Sequence, residues 1–82
     1  MSEEMVLGVI EGLSQIESDV SVPKNVKFRV KNAMIALEDN GKQLDIKIDK
    51  ALEELSDVDN DPNLPAYIRT QIWNIVSVLE CK

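Results

Sequence analysis

Apolar residues recur three or four positions apart in four separate stretches of the chain, the spacing of a helix with one greasy side. In the first, roughly 3–17, the stripe is Val6, Val9, Ile10, Leu13 and Ile16. Glu3 and Glu4 stand in its first turn, where a negative charge favours the helix dipole. Pro23 opens the second stretch, because its fixed φ and missing N–H suit a first turn, and the stripe there is Val26, Val30, Ala33 and Leu37. "DNG" at 39–41 ends it, with Gly41 expected in the left-handed conformation that closes a helix. The third helix, about 43–57, offers Leu44, Ile48, Ala51, Leu52 and Leu55; the fourth, Pro65 to about Glu80, offers Ile68, Ile72, Ile75, Val76 and Leu79. Short connections make neighbours antiparallel, and neither hairpin, 3–38 or 43–80, can bury its apolar surface alone. The pattern predicts an all-α single domain over 1–82, a four-helix bundle made of two helical hairpins.

The hairpins also read as an internal repeat. At an offset of 42 residues, "SDVSVPKNVKFRVKNAMIALE" falls on "NDPNLPAYIRTQIWNIVSVLE" without gaps. Asp19 meets Asp61, Pro23 meets Pro65, Asn32 meets Asn74 and Leu37 meets Leu79. Apolar character survives where letters change, as in Val22 on Leu64 and Val30 on Ile72. This is the pattern of two diverged copies of one hairpin.

Composition narrows the chemistry. Phe28, Tyr67 and Trp73 are the whole aromatic set of 82 residues, so the core is aliphatic. Fifteen acids against nine bases give a net charge of −6, which works against sequence-independent binding to nucleic acid. There is no histidine, which removes the commonest general base and metal ligand. The single cysteine, Cys81, cannot form an internal disulfide, and a free thiol is expected in a reducing compartment. No apolar run approaches a bilayer span, and "MSEEMVLG" is acidic rather than a basic leader, so a cytoplasmic protein is expected.

"LSDVDNDPNLP", Leu55 to Pro65, has the look of a calcium loop because Asp57, Asp59 and Asp61 alternate. An EF-hand then needs glycine where Pro62 stands, and a bidentate glutamate where Ile68 stands. Asp61 and Pro65 have counterparts in Asp19 and Pro23, so the segment reads as a corner: a polar residue to receive free helix N–H groups, then a proline. No catalytic, metal or cofactor-binding residues are assigned. With carboxylates and lysines alone available, and no phosphate loop, an enzyme is not expected.

The residues Asp61, Pro62, Asn63, Pro65, Arg69, Thr70 and the run Ile72 to Ser77, "IWNIVS", resemble the C-terminal signature of an archaeal family, uncharacterised protein family (UPF) 0147. The likeness extends over the whole chain, "SVPKN" at 21–25 included. It implies a compact all-helical protein of this length, and leaves the activity open because none has been assigned to the family. A looser likeness is to HEAT-type helical hairpin repeats, with Val26-Lys27 and Ile68-Arg69 in the place of their "VR" pair. Two such repeats are too few for an open solenoid, so closure into a bundle is preferred.

Several features remain once the core is assigned. Phe28 and Ile35 form a second ridge on helix two, seven residues apart and opposite its inner stripe, and Trp73 lies off the inner stripe of helix four. Together they are candidates for a protein interface. Gly8 and Gly12, one turn apart in helix one, invite close approach of another helix, with a contact outside the monomer favoured. Lys24, Lys27 and Lys31 line one face beside Phe28, either as a nucleic-acid contact or as a solvated face pairing with Asp45, Asp49 and Glu53. The reading is a non-enzymatic interaction module that binds a second copy of itself or another protein. The alternative is a nucleic-acid-associated accessory protein using the lysine stripe. No membrane or small-molecule partner is expected.

Overall fold

A computed structural model describes residues 3–58 and 61–81, which form helices α1 (Glu3–Ser18), α2 (Lys24–Glu38), α3 (Leu44–Ser56) and α4 (Ala66–Glu80). Each boundary falls within about two residues of the position read from the apolar spacing. Helix α1 packs on α2, α2 on α3, α3 on α4, and α4 returns to α1. That last contact closes the ring. Hairpins stacked side by side, as in a HEAT array, would instead pair α1 with α3 and α2 with α4. The molecule measures 34 × 20 × 19 Å, two helix diameters in each short direction, as a four-helix bundle requires.

The inner stripes meet in the middle. Val6, Val9, Leu13 and Ile16 of α1 are buried with Val26, Val30, Ala33 and Leu37 of α2, and with Ile48, Ala51, Leu55, Ile68, Ile72 and Leu79 from α3 and α4. Ile10, Leu44, Leu52, Ile75 and Val76, also expected inside, are only partly buried and pack against this cluster from the stripe edges. The connections add Val22, Val58 and Leu64, so the loops seal the ends of the core.

Each connection between helices turns on an aspartate. Asp19 Oδ1 accepts the Ser21 N–H, Asp39 Oδ1 the Gly41 N–H and Asp61 Oδ1 the Asn63 N–H, each at 2.9 Å. Such a side-chain bond two residues forward folds the backbone into a tight turn. The first and third corners match further. The amides of Val22 and Leu64 donate to the carbonyls of Asp19 and Asp61 at 3.2 Å, and those of Lys27 and Arg69 to Pro23 and Pro65 at 3.0 Å.

Two local expectations are corrected here. Gly41 is not left-handed; α2 ends on Asp39 in an extended conformation (φ −76°, ψ 103°), whose carboxylate makes the turn that the glycine was assigned. Asp19 and Asp61 do not receive free N–H groups of the following helix. Pro23 and Pro65 stand at the N-cap positions in extended conformations, and the aspartates bond within the corner. Asp59 and the side chain of Glu3 lie outside the described residues.

Leu13 is fully enclosed (0% exposed) whereas Leu7, on the same helix, is 64% exposed. Leu13→Ala should therefore lower the unfolding free energy by about 2–5 kcal/mol and Leu7→Ala by less than about 0.5 kcal/mol, as read from urea denaturation followed by circular dichroism.

Candidate interaction surface

Helix α2 keeps its inner stripe for the core, and the opposite side is set by the same periodicity. Lys24, Phe28, Lys31 and Ile35, spaced four, three and four residues apart, share one outward stripe. Phe28 is 65% exposed and Ile35 58% exposed. The ridge expected from the sequence is thus open to solvent. It borders a groove of about 430 Å³ between α2 and α3, lined by Ile35, Ala36, Ile46, Lys42, Lys47 and Lys50 among others. Ile46, 52% exposed on α3, lines the same groove as Ile35, a placement that the apolar spacing alone does not mark. Its position off the Leu44–Ile48–Leu52–Leu55 stripe was the available signal.

The other candidates are dispersed. Trp73 is about half exposed on α4, which lies diagonally across the bundle from α2, so it does not join Phe28 and Ile35. Gly12 is an internal contact: a Cβ there would lie 3.3 Å from Ile75 Cδ1 of α4, so α1 and α4 approach closely at this point. The expected contact outside the monomer does not apply to it. Gly8 has open space instead, beside a shallow groove lined by Val9, Ile75 and Val78. Of the lysine stripe, Lys24 and Lys31 are exposed, while Lys27 is half-buried and its charge acts on Asp19. The ion pairing that links α2 to α3 runs through Arg29, which reaches Glu54 at 3.4 Å and Asp57 at 3.5 Å. Lys50 adds a second cation to Glu54 at 3.5 Å, and Glu54 is almost fully buried beneath the two.

These surfaces belong to a fold with known relatives. The model of the uncharacterised protein family UPF0147 matches residues 1–81. This chain belongs to the UPF0147 family. The UPF0147 protein of Methanocaldococcus jannaschii is 38% identical over 78 residues, covering 95% of this chain and 84% of that relative. The Methanosarcina mazei protein is 38% identical over 79 residues, covering 96% and 85%. A Saccharolobus islandicus member is 38% identical over 68 residues, covering 83% and 76%. A crystal structure of an unknown-function protein, MMP1188, superimposes with a TM-score of 0.94 at 34% identity, over 100% of this chain and 93% of that one. Family and fold agree with the resemblance carried by "NDPN" and "IWNIVS". No activity has been assigned to the family.

In this UPF0147 chain two carboxylates of the suspected calcium loop, Asp57 and Asp61, are engaged by protein groups. Asp57 pairs with Arg29, and Asp61 accepts from the Asn63 N–H on Oδ1 and from Asn25 Nδ2 on Oδ2 at 2.8 Å. Among the described residues, no three His, Cys, Asp or Glu side chains come together as a metal site. The same pattern is repeated across the bundle. Asp19 Oδ2 accepts from the Tyr67 hydroxyl at 2.8 Å, and the Ser21 hydroxyl, 2.7 Å from that phenol oxygen, donates to Asp19 Oδ1. Asn25 and Tyr67 are themselves 42 residues apart, so each corner is clasped by the first turn of the helix following the other. The repeat alignment already set Asn25 on Tyr67, but only the folded chain shows each reaching the opposite aspartate.

Bonds to Ser21 and then Tyr67 hold Asp19 below the ordinary carboxylate value of 3.8, with the Lys27 charge assisting. Asn25 and then the Asn63 N–H do the same for Asp61, assisted by Arg69. A carboxylate acidified by folding contributes stability above its unfolded pKa and loses that contribution as pH falls through the lower folded value. The contribution of the two aspartates to stability should therefore be present above pH 3.8 and be lost as the pH falls below it. Urea titrations from about pH 5 to about pH 2 should show a shallower decline in the Asn25→Ala/Tyr67→Phe double variant, and an unchanged slope would contradict the clasp.

Proposed function

We propose that this UPF0147 chain is a non-enzymatic protein-interaction module of the cytoplasm, working through the outward stripe of α2. One observation carries the reading: Phe28 and Ile35 stand exposed in register on a helix whose inner stripe, Val26, Val30, Ala33 and Leu37, is sealed. Isolated exposed apolar residues are ordinary, but Phe28 and Ile35 lie two turns apart on one stripe, and Ile46 lines the groove beside Ile35. Aromatic anchors of this kind dominate binding energy at protein interfaces. The absence of catalysis is supported by how the acids are used, since Glu54 is held by Arg29 and Lys50 and the corner aspartates by Asn25, Ser21 and Tyr67. No helix of the described residues is long and apolar enough to cross a membrane.

A second reading, nucleic-acid association, is favoured by Phe28 lying exposed between Lys24 and Lys31. It is weakened by Lys27, which is half-buried beside Asp19, and by the net charge of −6.

Nuclease-treated extracts passed over the wild-type chain and over Phe28→Glu distinguish the two. A protein retained by the first bait and lost from the second is expected. Retention that disappears with the nucleic acid favours the second reading, and two baits with identical captures would remove the α2 surface from both.

A further inference from the structure

The charges of this chain are sorted in space. Residues 24–50, which comprise α2, its connection to α3 and the first half of α3, hold seven of the nine Lys and Arg but four of the fifteen Asp and Glu. That span carries +3 and the remainder of the chain −9. The cations gather around the apolar patch: Lys24 and Lys31 flank Phe28 on the stripe, and Lys42, Lys47 and Lys50 line the groove that Ile35 and Ile46 border. Building on the interaction surface proposed above, we infer that the α2–α3 groove receives an acidic amphipathic helix of another protein, its apolar side chains on Phe28, Ile35 and Ile46 and its carboxylates on the surrounding lysines.

Charge and shape both favour this occupant. Two α-helices with a shallow groove between them offer a third helix a seat, in which partner side chains at i, i+3 or i+4, and i+7 fill the apolar positions. The stripe from Lys24 to Ile35 runs about 16 Å, close to three helical turns. A second copy of this chain is a poor fit. Two-fold pairing through this face would set the lysines of one copy against those of the other, and like charges in apposition oppose association. Nucleic acid is also a poor fit, because Ile35 and Ile46 give aliphatic contact where bases stack on aromatic rings.

The probe is a fluorescent helical peptide of about 16 residues with leucines at i, i+4, i+7 and i+11 and glutamates on its flanks. Two controls accompany it: a peptide in which lysine replaces every glutamate, and a single-stranded RNA of similar length. Anisotropy at low salt should show the acidic peptide binding at least about tenfold more tightly than the basic one, with affinity falling as salt rises. Amide shifts should fall on α2 and α3. Ile46→Ser and the pair Lys31→Glu/Lys42→Glu, all at exposed positions, should each weaken binding by about tenfold or more while the helical spectrum is retained. Equal binding of both peptides, preference for the RNA, shifts confined to α1 and α4, or no binding up to about 1 mM peptide would each overturn the inference. A dimer in sedimentation that Phe28→Glu dissolves would assign the face to a second copy and overturn it as well. Should extract capture depend on Phe28 while the acidic peptide fails, the interaction surface stands and only the acidic class of partner falls.

Discussion

Four narrow aliphatic stripes have nothing but one another to bury against, and that constraint governs the molecule. With three aromatic residues in 82, no single large side chain can fill the interior. Enclosure must come from many Val, Ile, Leu and Ala contacts at about 25 cal/mol for each Å² removed from water. The return of α4 to α1 is what completes that enclosure, and the close approach at Gly12 against Ile75 lies along this seam. An open pair of hairpins would leave half of each stripe wet. Once the ring is closed, every residue that cannot face inward is presented to solvent on a rigid element, and Phe28, Ile35 and Ile46 owe their exposure to that.

The corners answer a different need. An aliphatic core supplies cohesion but little direction, because such contacts tolerate sliding. Direction comes from hydrogen bonds with fixed geometry, supplied here by one aspartate in each connection. Asp19 and Asp61 do more than turn the chain, since each is also grasped from the other half, by Tyr67 and by Asn25. These bonds tie the starts of α2 and α4 to the opposite corners at one end of the bundle. The carboxylates are thereby committed to architecture, which leaves the lysine-rich α2–α3 side as the distinctive electrostatic feature of the surface.

Most of the fold was legible in the chain because the apolar period, the prolines at 23 and 65 and the short connections all agree. Val26, Val30, Ala33 and Leu37 are buried as the spacing required, and the ridge through Phe28 and Ile35 is exposed as the opposite phase required. What failed was local chemistry. Glycine at 41 suggests a left-handed cap, yet the aspartate two residues earlier makes the turn, and the missing Cβ, which would stand 3.3 Å from Asp39 Oδ1, leaves room for that carboxylate. A glycine one turn from Gly8 signals close approach of some helix, but which helix passes Gly12 depends on the ring order. The Asn25–Asp61 and Tyr67–Asp19 bonds, 36 and 48 residues apart in the chain, could not be read from periodicity, which reports faces and not partners. Ile46 carries no mark in the sequence for a simpler reason: a lone aliphatic off a stripe is common on any helix.

Native-state hydrogen exchange tests closure of the ring most directly. If the four stripes form one core, the slowest amides of α1 and α2, near Leu13 and Val30, and of α3 and α4, near Ile48 and Ile72, must open together, with free energies agreeing within about 1 kcal/mol. If one hairpin exchanges through a separate opening several kcal/mol below the other, the two halves are stable apart and the bundle is not a single cooperative unit.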